Sequence, residues 1–330
     1  MAPPNPLSFL YNSIRTQVFA APPPPTHSFT NQTFIVTGAN TGLGAAAVEH
    51  FVRLDAARVI LTSRDLRKGE DALTRIEKAT GKTGVIEVWQ LDLSSAKSVQ
   101  AFAQRAEREL ERLDVLVENA GVDTGRFERV GDEVTEGTGQ GAETVLAVNV
   151  VGTFHLAVLL LPLLMRSARG ATGPARLCVV SSDLHFLADE FPQRKSADIL
   201  AELDKEDSVG SGFERYGQQP AILLFRFRGC TDTTDRYYLS KMVEILVAKH
   251  MARLVSKKSS NSSNPSVIIN TVNPGLVDTE LAREQGVFAR VFKFVFRAWT
   301  PEVGARCLVN AAGMGVESHG MHTSNGFIAP

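Results

Sequence analysis

The stretch "TFIVTGANTGLG", residues 33–44, decides the fold. A short β-rich apolar run leads into Gly38. Gly42 and Gly44 follow in the spacing G-x-x-x-G-x-G, and an alanine-rich helical run then reaches Leu54. A strand that ends in such a cluster and opens a helix lets backbone N–H groups approach an anion, at a helix terminus whose partial positive charge favours it. Glycines in a tight turn are weak evidence alone. The strand before them and the helix after them point to the pyrophosphate of a dinucleotide.

Outward from that turn the chain alternates. "RVILTS" (58–63), "VIEVWQLDL" (85–93), "LDVLVENAG" (113–121), "ARLCVVSS" (175–182) and "SVIINTVNPG" (266–275) read as further strands, with helical stretches at 65–80 and 95–112. Nearly continuous apolar strands separated by helices imply a parallel sheet covered on both faces. The expected fold class is therefore α/β, a single doubly wound Rossmann-type domain over residues 30–330, with ligands at the carboxyl ends of the strands. Residues 1–29 read as an arm in which "APPPPT" (21–26) is a stiff polyproline spacer. Two regions break the rhythm. Residues 123–141 are polar and glycine-rich, a surface loop, and 207–232 fit no strand–helix alternation.

Composition narrows the function. Across 330 residues, 35 basic and 36 acidic side chains give a net charge of −1, which offers no electrostatic footprint for nucleic acid. Cys178, Cys230 and Cys307 are widely spaced and form no CxxC pair, so a reducing compartment, the cytoplasm, is expected. The 7 histidines show no ligand spacing, and no metal site is expected. The longest apolar run, "FHLAVLLLPLLM" (154–165), falls short of the roughly 20 residues a membrane span requires. It suits a buried helix. The N-terminus lacks a basic leader followed by an apolar core, so no secretory signal is expected. Residues 7–20 are weakly amphipathic, either a partly ordered arm or a peripheral contact with a membrane or partner.

The end of the second strand, "TSRD", bears on cofactor choice. An NAD site wants a carboxylate there; an NADP site wants a cation for the 2′-phosphate. Arg64 can supply the cation and Ser63 a hydroxyl. The rival reading is a solvated arginine at a helix start for which Asp65 is the N-cap. In "TDRYYLSKMVE" (234–244), Tyr237 stands four residues before Lys241 and Tyr238 three. A free phenol, with a pKa of ~10, is a sluggish proton donor at neutral pH. A lysine one helical turn away stabilises its phenolate. Spacing favours Tyr237 and leaves Tyr238 open.

These motifs, in this order, resemble the short-chain dehydrogenase/reductase family from about Thr30 nearly to the C-terminus. "TGANTGLG" is similar to its TGxxxGxG turn and "LDL" (91–93) to its adenine-side segment. "ENAG" (118–121) is similar to its NAG motif. "VNVVGTFHL", "VVSS", "YYLSK" and "VNPGLVDT" resemble its central helix and its serine, tyrosine–lysine and PG segments. The wording "TGANTGLG", "TSRDLRKGE" and "SSDLHF" most resembles the branch of retinol-dehydrogenase-like enzymes and fungal natural-product reductases. The resemblance implies that Gly38, Asn40, Thr41, Gly42, Leu43 and Gly44 hold the dinucleotide. Asp92 would then lie near the adenine, with Asn119 and Gly121 packed against the cofactor. Pro274 and Gly275 would turn under the nicotinamide, and Thr279 would reach its carboxamide or the phosphates. It also implies a catalytic set of Ser182, Tyr237, Lys241 and Asn149, with Ser181 as the fallback for the serine. Lys241, with Tyr237 beside it, would contact the nicotinamide ribose, and Asn149 would hold a water in the relay to Lys241.

The expectation is an NADPH-dependent oxidoreductase acting on a carbonyl or secondary alcohol of a small lipophilic molecule in secondary metabolism, as a monomer or homo-oligomer. The alternative is a catalytically impaired dinucleotide-binding sensor or scaffold. The serine-to-tyrosine interval exceeds the family's, and its surplus reads either as a lid bringing Phe225 and Phe227 to the pocket or as a translated intron. "ESHGMHTSNGFIAP" is shorter than the family's C-terminus, which continues into a helix. "VFARVFKFVFRAW" (287–299) would line the pocket or form a packing helix.

Overall fold

The computed structural model describes residues 20–124, 126–131, 141–170, 173–188, 232–258, 265–279 and 297–328, with positions 15, 17, 196–197, 201–202 and 204–205. Its centre is β1 (Thr33–Val36), paired in parallel with β2 (Arg58–Ser63) on one side and β4 (Val115–Glu118) on the other. β3 (Ile86–Gln90) closes one edge beside β2. Beyond β4 lie β7 (Ala175–Val180), β8 (Val267–Asn273), β9 (His322–Ser324) and β10 (Phe327–Ile328). The sheet order is β10-β9-β8-β7-β4-β1-β2-β3, and only β10 runs antiparallel to its neighbour. This is the doubly wound α/β fold, with its order reversal between β1 and β4.

Burial explains why these strands are almost uniformly apolar. Every position of β1, β4 and β8 is buried. Phe34 and Val36 enter one core, shared with α1 (Gly42–Arg53), α2 (Leu66–Thr80) and α6 (Pro301–Gly313). Ile35 enters the other, shared with α3 (Ala96–Glu109), α4 (residues 144–170) and α5 (Asp232–Lys258). Helix ends follow from local chemistry. Asp65, Ser95 and Thr300 cap α2, α3 and α6 through their side-chain oxygens, and Gly81 ends α2 at φ 71°. A side-chain acceptor at each position satisfies an N–H with no intrahelical partner.

α4 is one continuous helix built of Thr144–Leu146, a wide π segment Ala147–Gly152, and Thr153–Gly170. Among the described residues it is the helix long and apolar enough to cross a membrane (Thr144–Ala168), and 72% of an apolar 18-residue window within it is buried inside the protein. The apolar run at 154–165 is a core-packing segment here. The proline-rich stretch lies along α6, where Arg306 and Asn310 donate to the carbonyls of Pro22 and Pro23, and Phe29 is buried in the core.

The strands anticipated from sequence are present at 33–36, 58–63, 86–90, 115–118, 175–180 and 267–273. The polar stretch 123–141 contributes β5 (Arg129–Val130), which pairs antiparallel with β6 (Ala142–Glu143) just beyond it and is tied down by Arg129 pairing with Asp204. β9 and β10 were not legible in sequence, since two or three residues show no periodicity. Of the surplus region, residues 207–231, including Phe225 and Phe227, lie outside the described residues; so do most of the arm at 7–20 and 287–296 of the aromatic stretch.

The π segment meets the loop after β3 with no room to spare. A Cβ added at Gly152 would stand 2.0 Å from the carbonyl oxygen of Leu93. Gly152→Ala is therefore expected to cost about 2–3 kcal/mol, measured as a lowered urea midpoint.

Candidate active site

The glycine turn is held from two strands. Gly38 and Gly42 adopt φ values of 60° and 56°, the left-handed region that favours glycine. The Asn119 side chain, just past β4, donates from Nδ2 to the carbonyls of Thr37 (2.8 Å) and Gly38 (3.2 Å). The Thr37 hydroxyl accepts from the backbone N–H groups of Asn119 (2.9 Å) and Ala120 (3.0 Å). Gly44 sits inside this clasp, and a Cβ there would fall 2.5 Å from Asn119 Nδ2 and 2.8 Å from the Gly38 carbonyl. Unlike the three helices capped by side chains above, α1 has no side-chain cap at Thr41. The N–H groups opening α1, at Gly42, Leu43 and Gly44, are thus left for an anion beside Asn40, which fits a pyrophosphate. Thr279, after β8, approaches the same turn, with its Cγ2 3.5 Å from where a Cβ on Gly42 would be. Gly275 follows Pro274 at φ 77°, and a Cβ there would strike the Trp299 ring at 2.6 Å.

Around the end of β2 the two expected residues differ. Ser63 is buried, donates its hydroxyl to the Asp65 carbonyl at 2.7 Å and accepts from the Asp65 N–H, so it shapes the turn that sets the α2 cap. Arg64 is exposed at the strand end. Arg75 of α2 reaches toward the turn, donating to the Asn40 carbonyl at 3.4 Å. One oxygen of Asp92, Oδ1, accepts from both the N–H and the hydroxyl of Ser94.

The chemical end gathers residues from α4, β4, β7 and α5. Asn149, fully buried in the π segment, accepts from the Val122 N–H at 2.8 Å and donates to the Val122 carbonyl and to Ser240 Oγ. A π turn breaks the regular ladder, a geometry frequent at functional sites. Gly121 lies between: a Cβ there would be 3.4 Å from Asn149 Oδ1 and 3.6 Å from Lys241 Nζ. Lys241 is buried and donates to the Val180 carbonyl (3.1 Å) and Glu244 Oε1 (2.8 Å). Its Nζ is 5.5 Å from the centroid of the Tyr237 ring. Tyr238 packs edge-on against Tyr237, their centroids 6.3 Å apart. The two phenols share an apolar cluster with Val145, bordered by Val122, Leu184 and Ala188. Alternation separates the two serines. Ser181 is buried and donates to the Lys241 carbonyl, whereas Ser182, half-buried, accepts from the Leu184 N–H at the start of the turn 183–187.

Residues 32–183 match the family described as short chain dehydrogenase. Over 325 residues the chain is 35% identical to the short-chain dehydrogenase anuD of Penicillium roqueforti, covering 98% of this chain and 75% of that one. The chain belongs to the short-chain dehydrogenase/reductase family. It is 34% identical over 322 residues to the short chain dehydrogenase/reductase dmxR8 of a Cryptosporiopsis species, covering 97% and 87%. The fold is that of the Pseudomonas aeruginosa RhlG/NADP active-site complex, with a TM-score of 0.61 at 22% identity over 90% of this chain and 95% of that one. This short-chain dehydrogenase/reductase is an oxidoreductase that uses a nicotinamide dinucleotide.

Two features of this dehydrogenase were passed over in its sequence. Asp183, His185 and His322 place a ligand-capable atom each within 4.8 Å of one another. Internal hydrogen bonds occupy them: His322 bridges Asp183 Oδ1 (3.1 Å) and Thr271 Oγ1 (2.9 Å), Ser324 donates to Asp183 Oδ2, and His185 Nδ1 meets the Ser182 carbonyl. Burial holds His185 below its ordinary pKa, so it is neutral at neutral pH. This ladder pins β9 to the turn carrying Ser182. The second feature is a pair of buried glutamates, Glu118 at the end of β4 and Glu244 on α5. The only sign in the sequence was a carboxylate inside otherwise apolar segments, "LVENAG" and "SKMVEILV". Cys178 and Cys307 are buried free thiols whose pKa burial pushes up to about 12, so neither is a nucleophile.

Glu118 has a pKa pushed up to about 8, mainly by burial, with the nearby Glu244 charge adding to it and a Thr37 hydrogen bond opposing. In the unfolded chain the same carboxyl titrates near 4.5. Between these values the unfolded state is ionised while the folded state keeps its proton, so folding loses up to about 1 kcal/mol per pH unit as pH rises. Glu118→Gln removes that slope. Its melting temperature is expected to match wild type near pH 5 and to exceed it by a few degrees at pH 8, as read by thermal denaturation across that range.

Proposed function

We propose that the enzyme is an NADPH-dependent reductase of a small lipophilic ketone or aldehyde, acting in the cytoplasm in secondary metabolism. The observation that carries this reading is the buried Lys241 ammonium anchored beside the Tyr237 ring, next to the turn headed by Ser182. Ser182 and Tyr237 would hold the substrate carbonyl oxygen. Tyr237 gives it a proton, and the Lys241 charge keeps the resulting phenolate accessible near neutral pH. Asn149, held by Val122 and Ser240, sits where it can support a water on the path to Lys241. When bound, the reduced nicotinamide supplies the hydride. Val122, Val145, Leu184 and Ala188 give the site an apolar wall suited to a lipophilic substrate. Arg64, exposed at the β2 end with Arg75 nearby, favours a 2′-phosphate, and the NADP complex with the same fold agrees with that choice.

Tyr237→Phe should lower turnover by about 10²–10⁴ and leave NADPH affinity within a factor of two. A mutant that turns over normally in a ketone and aldehyde panel would remove Tyr237 from the chemistry. Arg64→Ala should weaken NADPH binding by about tenfold and leave NADH binding unchanged, as followed by cofactor fluorescence. We further propose that the enzyme self-associates through α4 and α5, which meet along residues 144–152 and expose Val158 (55%) and Leu246 (52%). Leu246→Glu should then shift its mass to the monomer in light scattering.

A further inference from the structure

Lys241 sits in an unusual electrostatic setting for a group asked to acidify a phenol. Its side chain and that of Glu244 are 5% and 1% exposed, and they meet at 2.8 Å. An ammonium has three N–H donors. Two are taken, by the Val180 carbonyl at 3.1 Å and by Glu244 Oε1. The third is left for the side where Gly121 and the Tyr237 ring lie. Two anchors from different elements, β7 and α5 itself, therefore set where the charge stands.

Glu118, from β4, is the other buried carboxyl, and the Glu244 charge acts on it. Among the described residues, Glu118 Oε1 and Glu244 Oε2 are buried without a hydrogen-bond partner. A buried cluster of one ammonium and two carboxyls is close to neutral only when a single carboxyl is ionised, and uncompensated buried charge is costly. Burial raises the Glu244 pKa, opposed by the Lys241 charge and hydrogen bond and by a Ser181 hydrogen bond, so of the two carboxyls Glu244 is the one held beside a cation. Glu118, whose Oε2 accepts from the Thr37 hydroxyl at 3.1 Å, has its pKa raised by burial and by the Glu244 charge.

We propose that Glu244 is a positioning residue for catalysis: it pins the Lys241 ammonium beside Tyr237 and offsets part of its charge. The proposal rests on the assignment of Tyr237 and Lys241 to proton transfer. The groups that face Lys241 are Tyr237 and Glu244 from α5 and the Val180 carbonyl from β7. Glu118 from β4 is the further buried carboxyl, and the Glu244 charge acts on it. A carboxylate bonded to the ammonium weakens its pull on the phenol, so Glu244 holds the Tyr237 pKa higher than Lys241 alone would set it. In the direction of reduction this keeps the phenol protonated, and ready to donate, to higher pH.

The test is the ionisation of Tyr237 in the cofactor-free protein, followed by ultraviolet phenolate absorbance with Tyr237→Phe as the reference. Glu244→Gln keeps the shape and an acceptor for Lys241 but removes the charge. It should lower the Tyr237 ionisation by about 1 pH unit and move the alkaline limb of the reduction rate down with it. NADPH affinity should stay within a factor of two. Glu244→Asp, which keeps the charge but draws it back by a methylene, should move the ionisation in the same direction by less, and it serves should Glu244→Gln not fold. Glu118→Gln, which leaves the Glu244 charge in place, should move it less than Glu244→Gln. An unmoved Tyr237 ionisation in folded Glu244→Gln or Glu244→Asp overturns the proposal and leaves the catalytic assignment intact. Normal turnover by Tyr237→Phe overturns that assignment, whatever the ionisation shows.

Discussion

The clasp of Asn119 on the Thr37 and Gly38 carbonyls is the contact on which the rest of the site depends. It joins the ends of β1 and β4, the strands between which the sheet order reverses, so it forms where a crevice must open. The amide satisfies two carbonyls at a point where the strand ladder has ended. It also holds the chain so close that Gly44 has no space for a side chain. With the turn held this way, α1 begins without a side-chain cap, and its first N–H groups are left for an anion. A local clasp between two neighbouring strands thus sits beside a helix N-terminus that favours an anion.

At the other end the constraint is burial. β8 is covered on both faces, and α5 lies against that sheet, so polar groups near its start must be paired within the protein. Lys241, Glu244 and Ser181 answer this with hydrogen bonds joining α5 to the end of β7, and Ser240 and Asn149 with one joining α5 to the π segment of α4. The widened turn at Ala147–Gly152 places Asn149 where it can bind the Val122 backbone on one side and Ser240 on the other. Chemistry here is assembled from groups that are individually costly to bury and stable only as a network.

Sequence alone determined the doubly wound fold, because strands buried on both faces must be continuously apolar and the turn between strand and helix needs glycine. Spacing favoured Tyr237 over Tyr238 without excluding the second, and the resemblance supplied the choice; the sequence also marked Arg64 and Asp65 at the β2 end, where Asp65 is indeed the cap of α2. The short strands β9 and β10 escaped notice, since elements of two or three residues are held by neighbouring strands and not by their own pattern. Only the tertiary structure decided which hydroxyls are free to act. Ser63 looks like a phosphate ligand in the chain but spends its hydroxyl on the Asp65 turn, and Ser181 spends its own on the Lys241 carbonyl. Glu118 and Glu244, distant in sequence, are both buried after folding, and the Glu244 charge then reaches Glu118. The physical reason is that periodicity records which side of an element faces the core, whereas pairing among buried polar groups depends on elements that meet only after folding.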